Sequence, residues 1–235
     1  MPMEIPRTLK VLWGLEERRN RGPQPALTLD RIVATAIEIA DHDGLAALSM
    51  ARLAERLGSA PMSLYRHVAS KDELLVFMQD AAPGEPPTLP PGWRVGLGTW
   101  ARGLQAVFHR HPWILHASAG RPPLEPGQLA WLDRGLSAFD GTPLTSHERL
   151  QAVMATLYYV RGEAQIMAVL LTGEADVTED AYGALIGSLV TADRFPALAA
   201  AIADGVFAPE AEDVTFETGL SRLFDGIELL MSARN

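Results

Sequence analysis

The amino-acid sequence predicts an all-α fold. Apolar residues recur every three or four positions in several stretches, which is the spacing of one helix face. No stretch shows the sustained alternation of period two that is typical of strands, and most prolines lie between the helical stretches or at their starts. With 48% hydrophobic and 21% charged residues, the 235-residue chain has the composition of a globular protein with a buried core.

Residues 1–26 are predicted to form a flexible basic arm. Arg18, Arg19 and Arg21 precede the run 22–25, Gly-Pro-Gln-Pro, which disfavours a helix. The first residues lack the apolar stretch of a signal peptide, and no later segment has eighteen uninterrupted apolar residues. The sequence contains no cysteine, which excludes disulfides and thiolate metal sites.

Residues 27–82 predict four helices of a first domain. The first helix follows Thr28, a good N-cap, and ends at Gly44. A short second helix follows Ser49 and ends at Gly58, and a third follows the link Ser59-Ala60, where Pro61 suits a first turn. The fourth helix, residues 70–82, opens with a capping box formed by Ser70 and Glu73.

A linker rich in proline and glycine, residues 83–92, marks the boundary of a second domain over residues 92–235. Helical spacing predicts seven helices there, at 93–110, 112–119, 126–139, 146–172, 178–192, 197–204 and 213–232.

The short helices at 49–57 and 60–67, with a tight turn at Gly58, have the spacing of a helix-turn-helix, a motif centred on about 49–68. The second helix of such a unit enters the major groove of DNA. Leu64 and Val68 are expected to face inward, and the residues expected to face DNA are Ser49, Ala60, Pro61, Met62, Ser63, Tyr65, Arg66, His67 and Lys71. The spacing alone also fits a helical corner in a core.

The run 48–75, LSMARLAERLGSAPMSLYRHVASKDELL, resembles the DNA-binding domain of the TetR family of repressors. The matching features are Leu53-Ala54, Leu57-Gly58, Leu64-Tyr65, Val68, and Lys71 with Leu74-Leu75. Beyond the linker, three short segments and the long helix 148–171 are similar to a tetracycline-repressor-like C-terminal domain; the segments are Trp93-Arg94, His111-Pro112-Trp113 and Arg121-Pro122-Pro123. The resemblance implies a homodimer that binds double-stranded operator DNA and senses a small-molecule effector. The lack of an apolar signal or membrane segment predicts that the protein is cytoplasmic, and DNA binding would make it nucleoid-associated.

An effector pocket is expected in the second domain. Arg161 and Gln165 lie one turn apart on an otherwise apolar helix, and buried polar groups need partners that a ligand can supply. Glu163 is an alternative partner. The full set of expected pocket residues is Trp100, Leu104, Phe108, Trp113, His116, Trp131, Met154, Tyr158, Arg161 and Gln165. The tetracycline repressor binds its drug–magnesium complex with a histidine just before the Arg-Pro turn, where this chain has Ala117, so tetracycline is not the expected ligand.

The last helix carries an apolar stripe with a spacing near 3.6. Such a stripe packs either on its own domain or against a second copy, and the resemblance implies a dimer interface in a four-helix bundle with the long helix. The expected interface residues are Leu220, Leu223, Phe224, Ile227, Leu230 and Met231.

The net charge of −9 is unevenly distributed. Residues 1–82 hold ten Lys and Arg against eleven Asp and Glu, whereas residues 83–235 hold ten Arg against eighteen Asp and Glu. The first part can therefore present a basic face, while the second part repels polyanions.

No motif indicates an enzyme, a metal site or a bound cofactor. The sequence has no glycine-rich phosphate loop, no GxSxG and no HExxH. His109 and His111 lie two positions apart, which on a helix directs them to different sides. The expected function is a ligand-released repressor in which helix 70–82 couples the domains, with no membrane partner. A ligand-independent activator and an interaction scaffold are the alternatives.

Overall fold

The computed structural model describes residues 4–15, 27–117, 123–171, 179–207 and 216–234. These residues form helices α1 Arg7–Leu12, α2 Leu29–Asp43, α3 Met50–Arg56, α4 Pro61–Leu64, α5 Lys71–Ala81, α6 Trp93–Arg110, α7 Trp113–Ala117, α8 Pro126–Ser137, α9 Ser146–Leu171, α10 Glu179–Leu189, α11 Pro196–Ala203 and α12 Phe216–Ser232. A short 3₁₀ helix, Leu45–Ala47, joins α2 to α3. No strand occurs within the described ranges, and the predicted all-α fold is confirmed.

Helix α1 is absent from the sequence prediction, which had a flexible arm over residues 1–26. Leu9 of this helix is 8% exposed because α1 packs on α5. Arg7 Nη1 donates to the carboxylate of Glu73 on α5 at 3.0 Å, and Trp13 Nε1 donates to the carbonyl of Leu124 at 3.0 Å. The arm prediction is therefore wrong for residues 4–15, and the remainder of the arm lies outside the described residues.

The first domain has a small core that holds α3 and α4 against α2 and α5. Ile32 and Ala36 on α2 meet Leu53 on α3 and Leu64 on α4, all fully buried. Each fully buried leucine or isoleucine side chain contributes about 1.5–3 kcal/mol through removal of apolar surface from water. Helix α5 closes this core with Leu74, which is also fully buried.

The second domain is built on the packing of α6 against α9, with α8 and α12 on the flanks. Trp100 and Leu97 of α6 are nearly inaccessible to solvent, as are Val153 and Val160 of α9. Gly135 of α8 lets α6 approach closely, because a Cβ there would lie 2.9 Å from the Trp100 ring. No helix in the described part of the chain is long and apolar enough to cross a membrane.

Candidate DNA-binding and effector sites

Helices α3 and α4 form the predicted helix-turn-helix. Ser49 caps α3 by accepting a hydrogen bond from the Arg52 amide at 3.2 Å. The helix ends in a Schellman turn, in which Ser59 N donates to Ala54 O at 2.9 Å and Gly58 adopts a φ of +63°. Glycine takes this left-handed conformation without a steric cost, which explains the sharp change of direction before α4.

The second helix of the motif exposes most of its expected DNA contacts. Met62 is 74% exposed and Tyr65 is 46% exposed, whereas Leu64 and Val68 are fully buried as predicted. The other expected residues divide into an exposed group and a half-buried pair. Ser49, Ala60, Pro61, Arg66 and Lys71 are exposed, and Ser63 and His67 are half-buried. The surface thus combines an apolar contact, hydroxyls and cations in the mixture that base edges and phosphates require.

The α4 helix is shorter than the predicted segment, which extended through residue 67. Regular helix ends at Leu64, and a tight turn with His67 N and Val68 N both donating to Leu64 O carries the chain to α5. Ser70 then caps α5 by accepting from the Glu73 amide at 3.1 Å. Lys71 occupies the first helical position, where its ammonium adds to the positive end of the helix dipole.

Three side chains join the two domains at a single carboxylate. Asp41 on α2 accepts a hydrogen bond from Trp113 Nε1 at 2.7 Å and contacts His111 Nδ1 at 2.8 Å, both through Oδ1. His111 and Trp113 are buried and lie on either side of the α6–α7 turn. Sequence reasoning missed Asp41 and His111 in this role, although an acid near the C-terminal end of a helix opposes the helix dipole and is a signal of a tertiary partner.

A second carboxylate joins α5 to the second domain. Asp80 Oδ1 accepts from the backbone amide of Gly127, in the first turn of α8, at 2.6 Å. Burial raises the pKa of Asp80 above its ordinary value, the amide bond to Gly127 opposes that change, and the nearby charge of Glu125 adds to it. Gly127 is required by the close approach, since a Cβ there would lie 2.7 Å from Asp80 Oδ1.

The expected pocket residues divide into two groups. Trp100, Leu104, Phe108, Trp113 and Trp131 are buried, whereas Met154 and Arg161 are half-buried. The indole groups are already hydrogen-bonded: Trp100 Nε1 donates to Trp131 O at 2.7 Å, and Trp131 Nε1 donates to Gly84 O in the linker at 2.9 Å. These two tryptophans therefore connect different segments of the chain, because each indole N–H group already donates to a backbone carbonyl within the protein.

Three of the expected pocket residues face outward. Tyr158 is 64% exposed, and Gln165 and His116 are also exposed. These three side chains lie outside the buried core of their own subunit, and their role in an effector site stays a prediction. Among the described side chains of α9, the buried ones are Ala152, Val153, Thr156, Val160 and Ala164. Tyr158 and Gln165 therefore fall on the opposite side of the helix.

Arg161 points the other way, toward α7. Its Nη2 donates to the carbonyl oxygen of Leu115 at 2.7 Å. Burial lowers the pKa of the Arg161 guanidinium below its ordinary value. The group stays charged at pH 7 and, within the described part of the chain, forms no ion pair with a carboxylate. Glu163, the alternative partner considered from the sequence, instead accepts from Gln105 at 3.4 Å.

The apolar stripe of α12 packs mainly within its own domain. Leu220, Phe224, Ile227 and Met231 are all less than 9% exposed and belong to the core, and the Phe224 ring lies edge-on to Trp93 at 5.8 Å. One subunit alone thus covers these four side chains, and their place in a dimer interface stays a prediction. Leu230 is 43% exposed and Leu223 is half-buried, so both remain available on the side of the helix.

No group of three or more potential metal ligands occurs among the described residues.

Comparison with known proteins identifies the architecture. The family model "Bacterial regulatory proteins, tetR family" matches residues 32–77, and "Tetracyclin repressor-like, C-terminal domain" matches residues 86–231. The HTH-type transcriptional repressor DrrR1 of Streptomyces coeruleorubidus is 37% identical over 241 residues, which cover 98% of this chain and 88% of that protein. The tetracycline repressor class A of Escherichia coli is 29% identical over 210 residues, covering 83% of this chain and 88% of that protein.

A solved structure agrees with this result. ActR of Streptomyces coelicolor, in complex with actinorhodin, aligns with a TM-score of 0.72 and 31% identity over 88% of this chain and 98% of that chain. Both the DNA-binding unit and the helical domain are thus matched in sequence and in fold. The chain belongs to the TetR family of bacterial regulatory proteins.

Proposed function

We propose that this protein is a transcriptional repressor that binds operator DNA as a homodimer and is released by a small-molecule effector. The observation that carries the proposal is the exposed surface of α4. Met62, a large apolar side chain, is 74% exposed directly beside exposed Tyr65 and Arg66. Exposure of such a residue at the tip of a helix-turn-helix is explained by apolar contact with thymine methyl groups in the major groove.

Relatives support both halves of the proposal. DrrR1 is named a transcriptional repressor, and ActR was solved in complex with actinorhodin and with (S)-DNPA. The proposed activity is binding, without a catalytic step, and operator binding would bring the protein to the nucleoid of the cytoplasm.

Dimer formation is supported by apolar surface that one subunit leaves uncovered. On α9, Tyr158 is 64% exposed and Ile166 is 65% exposed; on α12, Leu229 is 72% exposed and Leu230 is 43% exposed. Several large apolar side chains left exposed on neighbouring helices are typical of a protein interface. Since α9 and α12 pack on each other, a twofold pairing would bury both surfaces in one helical bundle and hold two α4 helices at a fixed separation.

The effector is expected to be a partly apolar molecule with an anionic or carbonyl oxygen. Arg161 supplies a half-buried cation, and the buried side chains Leu104 and Phe108 on α6 supply apolar wall. A few oriented polar groups within an apolar lining are the usual composition of a ligand site.

The DNA-binding half is tested with an operator selected from a random DNA pool by the unaltered protein. Tyr65→Ala should weaken binding to that operator, and Tyr182→Ala, an equally exposed tyrosine on α10, is the matched control. Lys71→Ala should weaken specific and random DNA alike and reduce the salt slope by about 0.9, the value of one phosphate contact. Lys10→Ala is its control, because Lys10 is the only other lysine and lies on α1.

Two outcomes would contradict the proposal. Failure to enrich any DNA sequence would favour an interaction scaffold. Equal affinities for Tyr65→Ala and the unaltered protein would place the recognition surface elsewhere. A reporter gene placed behind the selected operator separates repression from activation, since deletion of a repressor raises transcription.

The effector half is tested by a thermal-shift screen of aromatic acids and quinones, repeated with Arg161→Met. A ligand that stabilises the unaltered protein and releases DNA should lose both effects in the variant. An unchanged response in Arg161→Met would assign Arg161 a purely structural role.

A further inference from the structure

Helix α1 lies outside the residues that the family models match. The model of the DNA-binding domain begins at residue 32, whereas α1 spans Arg7–Leu12. The helix has six residues, packs on α5 and buries one side chain, that of Leu9. A helix this short gains little stability from its own hydrogen bonds, so its tertiary contacts hold it in place. Its polar contacts converge on one carboxylate of α5, that of Glu73.

The Glu73 carboxylate is buried and is bonded by two separate segments of the chain. Arg7 Nη1 donates to both of its oxygens, at 3.0 and 3.1 Å, and Thr8 Oγ1 donates to Oε1 at 3.3 Å. The backbone amide of Ala69 donates to Oε2 at 2.5 Å. Of these three partners, Arg7 alone carries a charge opposite to that of the carboxylate. Because a buried charge that loses its partner is strongly destabilised, Glu73 would turn toward water without Arg7.

Glu73 in turn fixes the segment between α5 and α4, the second helix of the helix-turn-helix. Regular helix ends at Leu64, and the turn that follows leads to Ala69, whose amide is bonded to Glu73. Ser70, the next residue, caps α5 by accepting from the Glu73 amide at 3.1 Å. One residue thus holds two consecutive positions, through its side chain and through its backbone. Lys71, the expected phosphate contact, follows them directly, so its position depends on this segment.

We propose that Arg7 is a positioning residue for DNA binding, which acts through Glu73 on the segment between α4 and α5. While Arg7 neutralises the carboxylate, Glu73 stays buried and holds the Ala69 amide, which keeps Lys71 in place for a phosphate. Without Arg7 the carboxylate leaves Ala69, and its uncompensated charge lies two residues from Lys71, where it repels DNA. This role rests on the function proposed above and adds to it a residue outside the helix-turn-helix.

The competing explanation for an effect of Arg7 on DNA binding is a direct bond to a phosphate. Arginine is a common phosphate ligand, and the Arg7 side chain is 49% exposed. The bonds of Nη1 to both oxygens of Glu73 favour the positioning role. The two explanations differ in how they depend on Glu73. A direct contact would contribute the same affinity whether or not Glu73 is charged, whereas the positioning role disappears when that charge is removed.

The test is a double-mutant cycle on the full-length protein with the selected operator. Arg7→Met removes the cation and keeps an unbranched side chain. Glu73→Gln removes the negative charge and keeps an oxygen that can accept from the Ala69 amide. The third variant carries both changes. A second measurement, made without DNA, is the amide resonance of Ala69 in protein labelled with ¹⁵N-alanine and assigned with Ala69→Ser.

Arg7→Met alone should weaken operator binding by about tenfold, within the usual range of coupling between residues in contact, and should shift the Ala69 resonance. When Glu73→Gln is already present, the same change should alter affinity by less than about twofold. Arg7→Lys can still donate to the carboxylate, so it should keep the resonance and most of the affinity. Lys10→Gln is the matched control, because it removes the same charge from the same helix at a residue that does not bond Glu73.

Two results would overturn the proposal. Equal losses of affinity on Arg7→Met with and without Glu73→Gln would indicate a direct phosphate contact, and an unchanged Ala69 resonance in Arg7→Met would exclude the link through Glu73. If Glu73→Gln does not fold, as judged by circular dichroism, the Ala69 resonances of Arg7→Met and Arg7→Lys decide. If the unaltered protein selects no operator, the proposed function fails, and the same resonances still decide whether α1 holds the segment before α5.

Discussion

Substitution of Gly127 by alanine should separate α8 from α5 and thereby loosen the junction between the domains. The added Cβ would meet the backbone carbonyl oxygen of Asp80 and would lie 2.7 Å from Asp80 Oδ1. Backbone cannot rotate away from this clash as a flexible side chain can. The first turn of α8 must therefore move outward, and the 2.6 Å bond from the Gly127 amide to Asp80 must lengthen.

The expected decrease in the free energy of unfolding combines two effects, a steric clash and a weakened hydrogen bond. Overpacking against a fixed neighbour costs about 1–3 kcal/mol, and a hydrogen bond to a charged group contributes about 1.5–3 kcal/mol. Asp80 is only half-buried, so water compensates much of the second loss. We expect Gly127→Ala to lower the free energy of unfolding by about 2–4 kcal/mol.

Urea unfolding at one fixed protein concentration, followed by circular dichroism, measures this change. Gly187→Ala is the matched control, because a methyl group on this exposed glycine of α10 would have no atom within 4 Å. There the substitution should add stability, by up to about 1 kcal/mol, through helix propensity alone. Equal effects of the two substitutions would refute the steric reasoning at the α5–α8 contact.

Three further predictions concern charge, an unsatisfied hydroxyl and the dimer. Burial raises the pKa of Asp80 in the folded state, so folding favours the protonated carboxyl, and the folded protein loses stability as the pH rises above 3.8. Asp80→Asn should therefore be more stable than the unaltered protein at pH 7, and urea titrations should show this difference vanishing below about pH 4. Ser59 Oγ is buried without a hydrogen-bond partner among the described residues, so Ser59→Ala should be neutral or stabilising by up to about 1 kcal/mol in the same assay. Ile166→Asp should yield folded monomers by light scattering, whereas Phe224→Asp, at a core position, should unfold the protein. Folded monomers from Phe224→Asp would instead place the Phe224 side chain in the dimer interface.

Helix boundaries were predictable because their signals are local. Thr28, Ser49 and Ser70 all act as N-caps in the structure, and Gly44 and Gly58 both have positive φ. A capping side chain reaches only the next turn, so three or four consecutive residues determine it.

The direction in which a helix face points was not predictable in the same way. The stripe containing Phe224 has the same periodicity whether it packs on its own domain or on a second copy, and only tertiary packing decides. Tyr158 and Arg161 are three positions apart on α9, yet one is exposed and the other contacts α7. Helix α1 was missed because six residues are too few for stability without α5.

The indole groups give the molecule an optical property of its own. Trp131 donates to the linker, Trp113 donates to the DNA-binding domain, and Trp13, which directly follows α1, donates to the loop before α8. A chromophore therefore lies at each of these three connections, and loss of any of these bonds would change the polarity around one ring. Ultraviolet emission of the unlabelled protein should consequently follow domain opening in real time, and variants that keep one tryptophan at a time should reveal the order in which the connections separate.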